Sequence, residues 1–312
     1  MNSVIGHLET LGPYFFRKVK DVPFVRIVVP TPDEDFLELD YLLNEDFSDL
    51  VIICHGLEGS SEKSYIRGLA KYFYHRGVNI LAINYRSCGG KINNLPRFYH
   101  SGETSDLDFC VQWAKKFFSP KKIFMTGFSL GGNLITKYFG EMSNNLDSKI
   151  AGGAVFSVPL DLEGGAKVLN RRFNKVYEQN FLMTLKAKVL RKKRLGIISD
   201  EINIPKLLKA TSILEFDHLV TAPLHGFNDA FDYYKKNSGL FFIDGIKRPL
   251  LIASAINDPI LSKKSFLKNG QVNNDVFFKS LSRGGHVGFS HFNLFNDFKS
   301  EKMAFEFFRN LC

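Results

Sequence analysis

Short runs of apolar residues with little polar interruption recur along the chain, at Val51 to Cys54 (VIIC), Asn79 to Ile83 (NILAI), Ile123 to Phe128 (IFMTGF), Ala154 to Val158 (AVFSV) and Leu250 to Ala255 (LLIASA). A strand with one wet face alternates apolar and polar residues, whereas a strand covered on both faces reads as a continuous run. These segments therefore predict a mostly parallel sheet enclosed by helices. The stretches between them supply the helices. From Tyr65 to Arg76, the positions Ile66, Leu69, Ala70 and Phe73 fall at helical spacing, and Gly77 is placed as a left-handed cap. Ser105 to Phe118 reads the same way, with Ser105 and Asp108 spaced as a capping box, and Asn133 to Glu141 gives a further helix. Strand and helix alternate, which gives βαβ units and an α/β fold class.

Three more strands bring the expected sheet to eight. Val25 to Val29 and Phe36 to Tyr41 flank the turn-rich PTPDED and predict an antiparallel opening hairpin, and Val276 to Leu281 is a short late strand. After Leu162 the alternation breaks for roughly eighty residues, too long for a simple connection. This stretch, about 163–245, reads as a helical cap inserted into a single domain spanning 1–312. Within it Phe181, Leu182, Leu185 and Leu190 form an apolar face opposite Lys186, Lys188, Arg191 and Lys192. With 45% hydrophobic and 23% charged residues, a chain of 312 residues can bury one sizeable core.

Lys and Arg exceed Asp and Glu by 41 to 32, a formal charge of +9. No aromatic-and-basic RNA motif, helix-turn-helix signature or zinc-finger spacing accompanies that charge, so nucleic acid is set aside as a partner. Cys54, Cys88, Cys110 and Cys312 show no CxxC spacing, which fits reduced thiols in a cytoplasmic protein. The opening MNSVIGHLETLGPYFF has no basic segment followed by an apolar one, and no eighteen apolar residues run together. Neither an export signal nor a membrane span is expected.

The strongest chemical signal is Gly127-Phe128-Ser129-Leu130-Gly131, followed by Gly132, set between an apolar strand and a helix pattern. A reactive hydroxyl must stand exposed at the carboxyl edge of a sheet, which needs a cramped strand-to-helix turn, and glycine two residues either side relieves the crowding. The competing reading is a glycine-rich turn in which Ser129 merely caps a helix. Serine needs a base, and in this arrangement, the nucleophile elbow of the α/β-hydrolase fold, the acid and then the histidine follow it in the chain. Asn257-Asp258-Pro259 ends the strand Leu250 to Ala255, and His286 lies in the glycine loop Arg283-Gly284-Gly285-His286-Val287-Gly288. His291 is the rival base and Asp161, after Ala154 to Val158, the rival acid. For the oxyanion of acyl transfer, Cys54-His55-Gly56-Leu57-Glu58-Gly59 follows an early strand, making the N–H groups of Leu57 and Leu130 the candidate donors. His218 and His225 lie near Asp217 and Asp229 without a recognised metal spacing, and no GxxxxGK[ST] phosphate loop occurs, so neither metal nor cofactor is expected.

Together these residues resemble the YheT-like branch of the α/β-hydrolases. The resemblance rests on HGLEGSSEKSY from His55, NYRSCGG from Asn84, RFYHSGETSDL from Arg97, GFSLGGNLITKYFGE from Gly127, SVPLDL from Ser157, FDYY from Phe231, NDP from Asn257 and GGHVGF from Gly284. It implies Ser129, Asp258 and His286 as the catalytic positions, the HGLEG turn as an oxyanion donor, and an acyl ester or acylglycerol as substrate. One departure is Ser87, where the family usually has glycine. The N-terminal membrane anchor of animal relatives is not evident, which points to a bacterial-type member. Two other readings stand beside ester hydrolysis: an alcohol O-acyltransferase using the same acyl-enzyme, and a non-catalytic protein docking on anionic lipid through its basic segment Lys186 to Arg194.

Overall fold

The computed structural model describes residues 2–198, 202–268, 272–289 and 297–312. The eight strands are β1 (Val25–Pro30), β2 (Phe36–Leu42), β3 (Asp49–Cys54), β4 (Val78–Asn84), β5 (Lys122–Phe128), β6 (Ile150–Phe156), β7 (Leu250–Ala255) and β8 (Val276–Leu281). They form one sheet in the order β1-β2-β4-β3-β5-β6-β7-β8. Only β2 runs antiparallel to its neighbours; β3 to β8 are all parallel.

The uninterrupted apolar runs follow from cover on both faces. Leu50, Ile52 and Cys54 of β3 pack with Leu107 and Val111 of α3 (Thr104–Phe118) and Leu134 and Tyr138 of α4 (Leu130–Met142). The alternate residues Val51 and Ile53 pack with Leu69 and Phe73 of α2 (Ser64–Tyr74) and with Met303 and Phe308 of α11 (Lys299–Arg309). Because neighbouring strands are parallel, the carboxyl ends of β3, β5, β7 and β8 emerge on one edge, each followed by a loop that carries a candidate site residue.

The sequence expectations differ from the structure in three places. Helix α1 (Asn2–Phe16) precedes the hairpin, a segment read above only for targeting signals. Ser105 and Asp108 make no capping box: α3 begins at Thr104 without a side-chain cap, Ser105 Oγ donates to Glu103, and Asp108 accepts from Tyr138. Side-chain partners outside the helix outcompete the local motif.

The stretch between β6 and β7 is helical, comprising α5 (Leu162–Leu169), α6 (Lys175–Arg194), α7 (Ile204–Lys209), α8 (Ile213–Phe216), a π-helical turn at Asp217–Thr221, α9 (Ala222–Leu224) and α10 (Ala230–Asn237). Here lies the third difference, because Lys188 and Lys192 of α6 turn inward rather than opposing the apolar face. Lys188 Nζ pairs with Glu58 Oε1 at 2.7 Å and meets Cys88 Sγ at 3.2 Å. Lys192, fully buried, donates to the carbonyls of Leu95 (2.6 Å) and Arg97 (2.7 Å) and sits 3.9 Å from the Phe98 ring centroid. The basic run Lys186 to Arg194 is thus partly used up inside the molecule. Among the described residues, no helix is long and apolar enough to cross a membrane.

Candidate active site

Ser129 occupies the sharp turn between β5 and α4 with φ +53° and ψ −121°, backbone that L-residues rarely adopt. The flanking glycines permit it. A Cβ on Gly127 would lie 2.7 Å from the Gly131 carbonyl oxygen, and one on Gly131 would lie 2.5 Å from the carbonyl oxygens of both Cys54 and His55. The elbow is therefore wedged against the end of β3: a side chain at Gly131 would push the HG turn away from the serine, and one at Gly127 would strike the first turn of α4.

The structure brings Ser129, His286 and Asp258 together. His286 Nε2 is 2.8 Å from Ser129 Oγ, and His286 Nδ1 is 2.8 Å from Asp258 Oδ2. Asp258 Oδ1 accepts from the backbone N–H groups of Ile260 (2.9 Å) and Leu261 (3.3 Å), so the carboxylate both caps its own turn and faces the imidazole. With an acceptor against Nδ1, that nitrogen carries the hydrogen, which leaves Nε2 to accept the Ser129 hydroxyl proton. His286 and Asp258 are buried, while Ser129 stays partly accessible.

The rival acid is placed elsewhere. Asp161 is the N-cap of α5, accepting from the Gly164 N–H at 3.1 Å and the Ser262 hydroxyl at 2.9 Å. His291 lies outside the described residues. His55 is fully engaged in its turn: Nδ1 donates to the Gly56 carbonyl at 2.7 Å, Nε2 accepts from the Tyr85 N–H at 3.3 Å, and burial pulls its pKa down to about 3.

The HGLEG turn is held by phenols. Tyr65 OH accepts from the Gly56 N–H at 3.0 Å, Tyr99 OH accepts from the Glu58 N–H at 2.8 Å, and the Gly59 N–H donates to the Gly56 carbonyl at 3.0 Å. Glu58 is in turn pinned by Lys188 of α6. No described residue accepts from the Leu57 N–H. Leu130 is the first residue of α4, where an N–H has no acceptor within its own helix. Leu57 and Leu130 line the same pocket as Ser129 and His286.

That pocket is walled largely by the helical stretch after β6, through Leu162, Leu169, Phe181, Leu185, Phe216 and Val220. His100, Asp217 and His225 add polar groups to its lining. Asp217 in the π-helical turn accepts from Thr221 (2.6 Å) and Tyr234 (2.7 Å), and burial raises its pKa to about 6. His100, Glu103 and His225 bring possible ligand atoms within 4.8 Å of one another. Their contacts are already extensive: Glu103 takes Arg97 and Ser105, and His100 Nδ1 accepts from the Gly102 N–H at 3.1 Å. Only folding joins residues 100 and 225, so no local motif announces the group.

Ser87, the departure from the resemblance, has φ +63°. Its hydroxyl donates to Asn93 Oδ1 at 2.6 Å, which anchors a left-handed residue where glycine would need no anchor.

Comparison with known proteins agrees with the architecture. The sequence profile of the alpha/beta hydrolase fold matches residues 49–291. A protein of Escherichia coli (strain K12) that carries the name esterase YheT is 33% identical over 287 residues, covering 91% of this chain and 84% of that one. The monoacylglycerol lipase of Saccharomyces cerevisiae is 31% identical over 269 residues, covering 83% of this chain and 57% of its own length. Among solved structures, an esterase of Pyrococcus furiosus superposes with a TM-score of 0.60 at 17% identity, over 94% of this chain and 98% of that one, a likeness of fold.

Proposed function

The chain belongs to the α/β-hydrolase fold family, and from that premise we propose that it is a carboxylic ester hydrolase with Ser129 as nucleophile, His286 as general base and Asp258 as the group that orients the base. The observation that carries this reading is the unbroken hydrogen-bonded line from Ser129 Oγ through the imidazole to Asp258, opening onto an apolar pocket.

Ser129 Oγ attacks the acyl carbonyl carbon while its proton passes to His286 Nε2. The carbonyl oxygen takes up the negative charge and is met by the N–H groups of Leu57 and Leu130, each such donor being worth about 2.7 to 4 kcal/mol of barrier. Collapse expels the alcohol, which receives the proton from His286 and leaves an acyl-enzyme. Water, deprotonated by the same imidazole, then releases the acid and restores Ser129. The imidazolium formed in each half-reaction is stabilised by the buried Asp258 carboxylate against Nδ1.

The helical stretch after β6 acts as a lid whose Leu, Ile and Phe side chains accept a short or medium acyl chain. Met183 of α6 is 65% exposed and is not part of that lining.

The test is hydrolysis of p-nitrophenyl esters of increasing chain length, together with labelling by a fluorophosphonate. Ser129→Ala should abolish labelling and lower kcat about a millionfold. Undiminished cleavage by that variant would sink the proposal. Run with and without ethanol, the same assay reads water against alcohol as acyl acceptor.

A further inference from the structure

Helix α1 packs its polar side onto the two loops that carry His286 and Asp258. Glu9 is fully buried. Its Oε2 accepts from Asn257 Nδ2 at 2.7 Å, one residue before Asp258, and from the Gly284 N–H at 3.0 Å, two residues before His286. Its Oε1 faces Arg283 Nη2 at 3.0 Å. Thr10 Oγ1 accepts from the His286 N–H itself at 3.0 Å and donates to the Gly6 carbonyl at 2.7 Å. The two loops are also joined directly, Gly285 N–H donating to Asn257 Oδ1 at 3.2 Å. Helix and loops approach so closely that a side chain at Gly6 would strike the Asn257 carbonyl, and one at Gly285 would lie 2.7 Å from the Thr10 hydroxyl.

We propose that Glu9 and Thr10 are positioning residues for the reaction, with α1 acting as a clamp that fixes the His286 loop against the Asp258 loop. The proposal rests on the catalytic roles given above. Two glycines precede His286, one with φ +156° and the next +62°, so the backbone carrying the base has little conformational preference of its own. Glu9 supplies what the loop lacks, a single carboxylate oxygen shared between both loops, and Thr10 holds the N–H of the histidine. A displacement of about 1 Å in a catalytic group can cost about a hundredfold in rate, so these contacts bear on turnover more than on binding. Neither side chain reaches the pocket lining, and substrate affinity has no direct dependence on them.

The test compares Thr10→Val, Thr10→Ser, Glu9→Ala and Glu9→Gln with wild type on one p-nitrophenyl ester, with active sites counted by fluorophosphonate titration. Thr10→Val is nearly isosteric and leaves the His286 N–H without its acceptor. It and Glu9→Ala should lower kcat per titrated site about tenfold or more, with KM within about twofold of wild type. Thr10→Ser and Glu9→Gln, which keep an acceptor oxygen in place, should recover most of the rate. A merely structural role would lower the melting temperature and the number of sites while leaving kcat per site unchanged, and that result would overturn the clamp. So would a Thr10→Ser variant as slow as Thr10→Val. Should Glu9→Ala not fold, the Thr10 pair decides alone. If wild type neither labels nor hydrolyses, the hydrolase reading fails and the clamp with it; if wild type is active and the variants match it, only the clamp fails.

Discussion

Asp161 and Asp258 follow neighbouring strands of the same sheet, and what already occupies each carboxylate separates their roles. Asp161 is committed to the first turn of α5 and to Ser262, whereas Asp258 presents Oδ2 to His286. Asp161→Ala should therefore cost about 1 kcal/mol of stability, the usual loss for an N-cap, and leave turnover intact. Asp258→Ala should lower kcat about ten-thousandfold with a modest effect on folding. Denaturant unfolding and steady-state kinetics on the two variants check both halves, and equal kinetic losses would contradict the assignment of the acid. The sequence left this choice to chain order, because an aspartate after a strand looks alike in both places. The elbow was better marked: Gly127, Ser129 and Gly131 can be read from steric necessity alone, since the distances at those glycines are set by backbone. Nothing comparable marked Glu9 or Thr10, whose partners lie about 250 residues or more away in the chain.

Helices α1 and α6 show why periodicity reads some elements and misses others. In α2 the apolar residues Ile66, Leu69, Ala70 and Phe73 are the buried ones, and the pattern found them. In α1 the relation is reversed: Glu9 and Thr10 are buried while Val4, Leu8 and Phe15 are 62%, 54% and 63% exposed. A reading that sends apolar residues inward cannot place such a helix, and Pro13 within it further weakens the pattern. Helix α6 is a milder case, its two inward lysines having been placed opposite the apolar face. Lys192 ties the helix to the loop at residues 95–97 through carbonyls that have been taken out of water. Lys192→Met keeps the buried stem and removes the donors, so it should destabilise the protein by about 2 kcal/mol or more, the cost of leaving buried acceptors unmade. A midpoint shift in urea measures it. An unchanged midpoint would mean that water replaces the ammonium at no cost.

For the molecule as a whole, the alternation of strands and helices made the parallel sheet legible, and with it the edge at which residues 57, 129, 258 and 286 meet. What the alternation could not convey is how the chain's charges are buried, and this governs stability against pH. Near the β1–β2 edge, burial would raise the Asp35 and Asp40 carboxyls, yet hydrogen bonds win and hold both below the ordinary range: Asn93, Asn94, Phe36 and Arg86 for Asp35, and Arg26, Ser61 and Asn84 for Asp40. Their contribution is complete above the unfolded-state value, begins to fall below it, and is lost as pH drops through the lower folded-state value. Asp217 has the opposite sign. Burial outweighs its bonds to Thr221 and Tyr234 and raises it from 3.8 to about 6, so the folded state holds a proton that the unfolded chain has released between those values. Its contribution is full below about pH 4 and disappears as pH rises through about 6. Asp217→Asn removes the titration while keeping the size and the partners. The stability of wild type relative to this variant should therefore fall between pH 4 and pH 7, by on the order of 3 kcal/mol, and stay level above. Urea unfolding of both proteins across that range measures the difference. Parallel curves would show that the carboxyl ionises alike in the folded and unfolded chains, and that the pocket wall around residue 217 is wetter than its packing implies.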